Sequence, residues 1–325
     1  MIRSLLQFTR DGARGVAALD ADGAARRLIG VGSIRQLALE AIESGTTLTD
    51  RTALLLSDPM TLDEVTLLPP IDHDDPAHLL ISGTGLTHLG SAEGRDKMHK
   101  AAAAGQATDS MRMFLMGEEG GKPGPEEEGV QPEWFYKGDG SILVSPGAPL
   151  VMPSFAGDGG EEPEIAGIYL NGKDGTPYRL GFSIGNEFSD HVTERVNYLW
   201  LAHSKLRQAA LGPELLLGDL PIDVRGTSRI VRGGETLWEK PFLSGEANMS
   251  HSIANLEHHH FKYPQFRRPG DVHVHFFGTA TLSFTDKVET EVGDIFEVAA
   301  DCFTIPARNP LVRAADQGLA VVKAL

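Results

Sequence analysis

Residues 161–190 read EEPEIAGIYLNGKDGTPYRLGFSIGNEFSD, and this stretch decides the fold. It contains two apolar runs, Ile165–Leu170 and Tyr178–Ile184, whose length and residue types predict the two strands of a hairpin. Short runs of the same kind, separated by glycine and proline, lie at Leu79–Leu86, Ser141–Val144, Arg229–Arg232, His273–Phe277, Thr279–Phe284 and Ile295–Val298. Their number and spacing predict an α+β fold with a β-rich main domain.

Acidic side chains lie at the open end of the predicted hairpin. Glu162 and Glu164 are alternate residues, so they face the same side of a strand. Glu187 follows the second strand, and the hairpin brings it beside that pair. Clustered carboxylates repel one another unless a proton or a cation lies between them, and oxygen-only ligands suit a hard ion such as Mg²⁺, Mn²⁺ or Ca²⁺. We therefore predict a metal site, with Asp190 as a rival for the third ligand.

The length of 325 residues and a hydrophobic fraction of 41% allow about two domains with sizeable cores. We place a small N-terminal α/β domain at residues 1–75, ending after a Pro-Pro step, and the main domain at residues 76–325. In the first, Arg14–Leu19 is predicted to be a strand and Ser33–Ser44 a helix that ends at Gly45. In the second, we predict helices at residues 95–116 and 194–209 and an exposed loop at residues 117–130.

Charge and composition exclude several classes of partner. The net charge of −16 repels nucleic-acid phosphates and anionic lipids. No apolar run is long enough to span a membrane, and the first residues lack the apolar stretch of a signal peptide. Cys302 is a single cysteine, which rules out an internal disulfide. We expect a cytoplasmic protein that binds neither nucleic acid nor membranes.

Several short motifs follow the order found in the fumarylacetoacetate hydrolase superfamily, and the chain resembles that superfamily over residues 80–311. The E-x-E at residues 162–164 and the GNEFSD at residues 185–190 are accompanied by motifs at Trp134–Lys137, Ser204-Lys205, Gly278–Ala280, Gly293–Glu297 and Asn309-Pro310. The resemblance implies a mixed β-roll catalytic domain, a homodimer, and Mg²⁺ (or Mn²⁺) bound by Glu162, Glu164 and Glu187. The superfamily usually has aspartate where this chain has Glu187.

The longest matching segments, residues 83–99, 185–208 and 245–263, resemble a sugar-acid branch that includes 2-keto-3-deoxypentonate dehydratases. This resemblance implies a lyase that removes water from a 2-oxo acid, a D- or L-2-keto-3-deoxypentonate, and forms a 2-oxoacid semialdehyde. The superfamily's C–C hydrolases carry a water-activating histidine and glutamate where this chain has Ser91 and Gly94. Hydrolysis of a C–C bond in a 2,4-diketo acid is the alternative activity, and non-catalytic sugar-acid binding is the alternative outside enzymes.

Roles for individual residues also follow from the resemblance. We expect Lys205 to face the substrate, either as the base or as the group that polarises the ketone. Lys137 and Glu93 are predicted as further catalytic residues, with Lys137 either holding the substrate carboxylate or pairing with a metal ligand. Thr279 and the backbone of Gly278 are expected to hold the substrate carboxylate. Further substrate contacts are expected from Thr87, Ser91 and Arg95.

Two groups of histidines offer other interpretations. His273-Val274-His275 has the H-x-H spacing of a cupin-type metal site, which Glu297 would complete. Hydrogen-bonded structural histidines are the simpler interpretation of this pair. The run His258–His260 is internal to the chain, and one of its three histidines is a candidate for the active site.

Overall fold

The strands dominate the structure, a computed structural model that describes residues 2–90 and 108–325. In chain order they are Ile2–Arg10 (β1), Ala13–Asp20 (β2), Ala25–Leu28 (β3), Leu56–Met60 (β4), Thr66–Leu67 (β5), Leu79–Gly85 (β6), Glu133–Asp139 (β7), Leu143–Val144 (β8), Leu150–Met152 (β9), Pro163–Asn171 (β10), Pro177–Asn186 (β11), Ala209–Leu211 (β12), Glu214–Leu216 (β13), Val224–Arg232 (β14), Glu235–Ser244 (β15), Val272–Phe276 (β16), Ile295–Ala300 (β17) and Ala307–Arg313 (β18). The fold is thus α+β and strand-rich, as the sequence predicts.

The helices are short. Those in the described residues are Ile34–Ser44 (α1), Leu48–Leu55 (α2), Asp109–Gly120 (α3), His191–Val196 (α4), Leu201–Lys205 (α5) and Ile253–Phe261 (α6). The prediction for α1 is confirmed, since the Ser33 side chain accepts a hydrogen bond from the Gln36 amide and Gly45 adopts φ 65° at the C-terminus. Within the described ranges, none of the helices has the length and apolarity needed to cross a bilayer.

A large mixed sheet carries the predicted hairpin at its centre. Its main path runs β4-β3-β2-β1-β13-β11-β10-β16-β6-β7. Strand β10 pairs antiparallel with β11 on one side and with β16 on the other, and β16 pairs parallel with β6. Every residue of β10 is buried. A second sheet of order β15-β14-β17-β18-β9 lies against the first.

Both faces of the β10–β11 hairpin are covered. On one face, Ile165 and Ile184 share a buried apolar cluster with Phe242 and Val298 of the second sheet. On the other face, Ile168 belongs to a cluster that includes residues of α1, β1 and β16. A strand buried on both faces cannot show a clean alternation of polar and apolar residues, which explains the continuous apolar run at residues 165–170.

The N-terminal residues share this sheet with the rest of the chain. Leu5 of β1 pairs with Leu215 of β13, and Ile34 of α1 lies in the same buried cluster as Ile81 and Val274. A domain boundary near residue 75 stays a prediction.

Four of the predicted elements differ from the structure. Of the strand predicted at Ser141–Val144, only Leu143–Val144 is a strand, and it follows a 3₁₀ turn at Gly140–Ile142. The single helix predicted at residues 194–209 is two short helices, α4 and α5, separated by a 3₁₀ turn at Tyr198–Trp200. Asn197 causes the break, because its extended backbone ends α4 and its side chain caps the turn by accepting from the Leu199 amide at 3.0 Å. The strand predicted at Thr279–Phe284 is a loop that ends in a 3₁₀ turn at Ser283–Asp286. The loop predicted at residues 117–130 begins only after α3 ends at Gly120.

Candidate active site

Three carboxylates meet where β10 begins and β11 ends. Glu164 is paired with Gly185 across the hairpin, and the Glu187 amide donates to the Glu162 carbonyl at 3.0 Å. This register brings one carboxylate oxygen from each of Glu162, Glu164 and Glu187 to within 4.8 Å of the others, and all three side chains are buried. Asp190 instead caps α4 and pairs with Arg207 at 2.9 Å. The rival ligand is therefore occupied elsewhere.

Three cationic groups surround this carboxylate triad. The Lys205 ammonium donates to Glu162, to Glu187 at 2.8 Å and to the Ser189 hydroxyl at 3.2 Å. Lys137 pairs with the other oxygen of Glu187. His191 Nε2 lies 3.2 Å from Glu162 Oε1. With all six groups ionised, three negative charges are matched by three positive charges.

The electrostatics of the triad fit a bound divalent cation. Burial, together with the charges of Glu187 and Glu162, raises the pKa of the Glu164 carboxyl well above its ordinary value. Burial also opposes ionisation of Glu162, but Lys205 and His191 outweigh it and lower the pKa of Glu162. A hard cation would stabilise the ionised form of Glu164, and three buried carboxylates are a suitable oxygen donor set.

A cavity of about 400 Å³ opens beside the triad. Of the three carboxylates, Glu162 reaches its wall, as does Lys205. The other lining residues are Thr84, Gly85, Leu86, Glu133, Phe135, His191, Glu194, Arg195, Tyr198, Leu201, Gly278, Thr279, Leu282 and Phe284. The space is sufficient for a small organic acid that contacts Glu162 and Lys205 together.

Glu133 is a cavity residue that the sequence analysis missed. Burial raises the pKa of its carboxyl to about 7, against the opposing effect of Lys205. Its Oε1 atom is buried and has no hydrogen-bond partner among the described residues. A Cβ at Gly85 would overlap the Glu133 carboxyl, so glycine at that position provides its space. A carboxyl that changes protonation near pH 7 is suited to proton transfer.

The alternation of β7 could have revealed Glu133. Residues Glu133, Phe135 and Lys137 are alternate positions of this strand and are buried, whereas Tyr136 between them is exposed. All three face the site, with Lys137 behind Glu187 and Glu133 at the cavity. A second missed carboxyl is Glu194 of α4, which also lines the cavity and whose pKa is raised by burial.

The loop at residues 278–286 is anchored to the strand that carries the triad. The Gly278 amide donates to Glu164 Oε2 at 2.7 Å. Farther along, the Ser283 amide and hydroxyl donate to the two oxygens of the buried Glu161 carboxylate at 2.7 and 2.8 Å. Acidic residues of one short stretch thus contribute to the carboxylate triad and also hold the loop that supplies Thr279 and Phe284 to the cavity wall.

Several solved structures have a similar architecture. A 2-keto-3-deoxy-D-arabinonate dehydratase complexed with magnesium and 2,5-dioxopentanoate is similar, with a TM-score of 0.68 and 19% identity over 96% of this chain and 100% of the other. A fumarylacetoacetate hydrolase from Exiguobacterium antarcticum gives a TM-score of 0.61 at 16% identity, with the same coverage. The chain has the fumarylacetoacetate hydrolase fold.

Other solved structures share this fold with different chemistry. A 5-carboxymethyl-2-hydroxymuconate delta-isomerase from Mycobacterium smegmatis gives a TM-score of 0.59 and 18% identity, over 96% of this chain and 100% of that one. No protein-family model matches the sequence, and no curated protein sequence matches it either.

Within this fold, the residues predicted to contact substrate fall into three groups. Thr279 lines the cavity, as predicted for a substrate contact. The Gly278 amide differs from its prediction, because it donates to Glu164 and is not free to bind a substrate carboxylate. Thr87 does not line the cavity, since its buried hydroxyl donates to the Phe277 carbonyl. Ser91, Glu93 and Arg95 lie outside the described residues.

For Lys137 and Lys205, the structure favours one of the two roles predicted for each. Lys137 does not line the cavity; its ammonium donates to the carbonyls of Phe188 at 2.6 Å and Lys205 at 3.0 Å. It is therefore placed to position Glu187 and Lys205. Burial opposes the charge of Lys205, but Glu162 and Glu187 raise its pKa well above the ordinary value. This favours a hydrogen-bond donor over a base.

The histidines of the H-x-H motif belong to a buried hydrogen-bonded cluster in this fold. Trp134 Nε1 donates to His260 at 3.1 Å, His260 Nε2 lies 3.0 Å from His273 Nδ1, and His275 contacts the Ser82 hydroxyl at 2.8 Å. Glu297 lies in the second sheet, where it pairs with Arg229. None of His258, His259 and His260 lines the candidate cavity. The structural interpretation of the H-x-H motif is thus supported.

Proposed function

We propose that the chain is a metal-dependent dehydratase that removes water from a 2-keto-3-deoxy sugar acid, with D- and L-2-keto-3-deoxypentonate as the first substrates to assay. One observation carries the proposal: a buried carboxylate triad, balanced by three cations, adjoins a cavity that contains Lys205 and a carboxyl of pKa about 7. The similar dehydratase complexed with magnesium and 2,5-dioxopentanoate supports the same reading of the site.

Glu162, Glu164 and Glu187 would hold Mg²⁺ or Mn²⁺. When bound, such an ion supplies a Lewis acid that stabilises negative charge developing on the keto oxygen of a 2-oxo acid. The charge balance of the site also favours this class of substrate. Lys137, Lys205 and His191 offset the charge of the three carboxylates, so an added divalent cation would make this part of the site more favourable for a substrate carboxylate.

The reaction removes a proton from C3 and hydroxide from C4, which leave together as water. The resulting alkene isomerises to an enol and then to the aldehyde, so a C5 acid gives a 2-oxoacid semialdehyde plus one water. The cavity must therefore supply a base for C3 and an acid for the C4 oxygen. It must also bind the 2-oxo acid end in a fixed orientation.

Glu133 is the group we assign to proton transfer. Its carboxylate accepts the C3 proton, and the carboxylic acid so formed can donate to the departing C4 hydroxyl. A pKa near 7 makes both forms accessible at neutral pH. Glu194 lies near enough to raise the pKa of Glu133 through its charge, and it is the second carboxyl available for the C4 oxygen.

Lys205 and the apolar walls complete the assignment. The Lys205 ammonium, held by Glu162 and Glu187, can donate to the keto oxygen and stabilise the charge that forms there. Phe135 and Phe284 line the same cavity and reduce the access of water to the reacting carbons. Thr279 offers its hydroxyl to the substrate carboxylate.

The decisive experiment measures semialdehyde formation from D- and L-2-keto-3-deoxypentonate, with Mg²⁺ and then with EDTA. It compares the wild type with Glu164→Gln, which removes one ligand charge while keeping the side-chain shape. Glu235→Gln is the matched control, because Glu235 is an exposed residue of β15 away from the cavity. Turnover that requires metal and is lost only in Glu164→Gln supports the proposal.

A second readout separates dehydration from the other chemistries. In deuterated water, C3 of the recovered substrate should acquire deuterium in a metal-dependent manner, because C3 proton removal precedes water loss. If neither pentonate reacts nor exchanges, the pentonates are not the substrates. A 2,4-diketo acid assayed in parallel would then test C–C hydrolysis, and absence of all turnover would favour a binding protein.

A further inference from the structure

Arg195 is a cavity residue to which the dehydration itself gives no role. It lies on α4, and its guanidinium carbon is 4.9 Å from the centroid of the Phe284 ring. The two other basic groups of the cavity, Lys205 and His191, are both within ion-pair distance of Glu162. Arg195 has no carboxylate partner among the described residues. Arg195 is also exposed, so within the described part of the chain its charge is open to a ligand.

The position of Arg195 is outward from the triad. His191 and Arg195 are four residues apart and lie on the same side of α4, about 6 Å from each other along the axis. Both contact the same ring, since the His191 and Phe284 ring centroids are 5.2 Å apart. A molecule whose 2-oxo acid end lies at Glu162 would present its other end to Arg195.

We propose that Arg195 binds a carboxylate at the far end of the substrate, so that the preferred substrates are 2-keto-3-deoxy acids with a second carboxylate. This rests on the proposed function, because the orientation of the substrate is taken from it. A guanidinium presents parallel N–H donors that match a carboxylate, whereas a terminal hydroxyl uses little of this geometry.

The charge distribution around the cavity makes Arg195 the favoured contact for a second anionic group of the substrate. The protein has a net charge of −16, and Glu133, Glu162 and Glu194 line the cavity, so the surrounding field disfavours a second negative charge on the substrate. A cation with no acidic partner, at the wall of such a cavity, offsets that repulsion at one place. Stacking on Phe284 also limits the orientations of the guanidinium.

The test uses dead-end ligands, so that it does not depend on turnover. Dissociation constants are measured by calorimetry at saturating Mg²⁺ for 2-oxoglutarate and 2-oxopentanoate, which have five carbons and differ in the terminal group. Oxalate is the control ligand, because it has no terminal group that could reach Arg195. The proteins are the wild type, Arg195→Gln, Arg195→Lys, and Arg27→Gln as a control. Arg27 is exposed on β3 and does not line the cavity, so its replacement removes the same charge without affecting the site.

The wild type and Arg27→Gln should bind 2-oxoglutarate about tenfold more tightly than 2-oxopentanoate. Arg195→Gln should lose this preference, Arg195→Lys should keep part of it, and oxalate should bind all four proteins equally. The proposal is overturned if the wild type shows no preference or if Arg195→Gln retains it. If both pentonates and a six-carbon 2-keto-3-deoxy diacid fail to lose water while Arg195 still discriminates between the two ligands, the proposed reaction alone is refuted.

Discussion

The ammonium nitrogen of Lys205 lies 2.8 Å from Oε2 of Glu187 and also donates to Glu162, so it occupies the space between two carboxylates of the triad. This contact has two consequences. It keeps Lys205 protonated, because the two acids raise its pKa. It also places a cation where it opposes the binding of a second one, so lysine and metal compete for the negative charge of the same groups.

Lys205→Met should therefore separate metal binding from turnover. Removal of the ammonium should strengthen Mn²⁺ binding by about tenfold, because an opposing charge is lost, while dehydration falls by at least a hundredfold. Metal affinity is measured by calorimetry. Lys173→Met, which removes an exposed lysine paired with Glu43, should change neither quantity. Weaker metal binding in Lys205→Met would show that the lysine organises the carboxylates more than it opposes the ion.

Glu133→Gln tests the proton-transfer assignment. Loss of a general base or acid should lower kcat by about a hundredfold to ten-thousandfold with little change in metal affinity. In the wild type, kcat/KM should rise with pH through about 7, since the ionised carboxylate accepts the C3 proton. The variant should lack this rise. A pH profile that keeps the same limb in Glu133→Gln would assign the titration to another group.

Gly278→Ala should weaken the metal site through the backbone. Gly278 adopts φ +95°, and an added Cβ would lie 2.5 Å from Thr87 Oγ1 and 2.7 Å from the Thr84 carbonyl. The chain must shift there, and the hydrogen bond from the Gly278 amide to Glu164 weakens with it. We expect about tenfold weaker Mg²⁺ binding in calorimetry. Gly293→Ala is the control, because Gly293 has φ +96° with open space around it.

Ser283→Ala tests whether the Glu161 anchor positions the cavity loop. The substitution removes one of two hydrogen bonds to a buried carboxylate, which should cost about 1–3 kcal/mol of unfolding free energy. KM should increase more than kcat decreases, because Thr279 and Phe284 lose their fixed position. Thr285→Ala, whose hydroxyl bonds only to the Leu282 carbonyl at 2.7 Å, should leave KM unchanged. Equal KM values in the two variants would remove the positioning role.

Buried histidines should make the fold sensitive to mild acid. Burial lowers the pKa of His88 and His260 to about 3 and that of His251 to about 4. The unfolded chain therefore takes up protons below about pH 6.5 that the folded chain does not, and stability falls as pH decreases from there. Each such histidine contributes a slope of about 1.4 kcal/mol per pH unit. Urea unfolding at pH 8, 6 and 5 measures this, and a constant midpoint would contradict it.

His191 has the opposite dependence and does not obscure that measurement. Burial lowers its pKa, but Asp158 and Glu162 outweigh this effect and raise it to about 10. Its stabilising contribution is fully present below pH 6.5 and is lost only as pH rises toward 10. Between pH 5 and 6.5 its contribution is constant. Glu133 and Glu164 offset part of the histidine slope in this range, because their raised pKa lets the folded chain keep protons that the unfolded chain releases.

The sequence predicts the part of the site that depends on local geometry. Strand alternation puts Glu162 and Glu164 on one side, and a hairpin brings Glu187 to them, because both relations involve neighbouring strands. The same alternation applied to residues 133–137 would have found Glu133. These relations need only the period of a strand and the length of a turn.

Relations between distant segments could not be predicted in this way. The Gly278 amide bonds to Glu164, which is 114 residues away, and the two ends of the Trp134–His260 hydrogen bond are 126 residues apart. Asn197 interrupts a pattern with helical spacing because its side chain competes for a backbone amide. Helix propensities alone do not predict whether the Leu199 amide bonds to the Asn197 side chain or continues the helix.

Strand β10 pairs along its whole length with β11 and over Ala166–Leu170 with β16, and it is buried on both faces. It cannot separate from the sheet without exposing the cores on either side, so its amides should exchange with deuterium only when the whole molecule unfolds. The loop at residues 278–286 is joined to the same strand through Glu161 and Glu164 but has fewer buried contacts. Local opening of this loop would therefore leave Glu164 in the slowest-exchanging part of the protein.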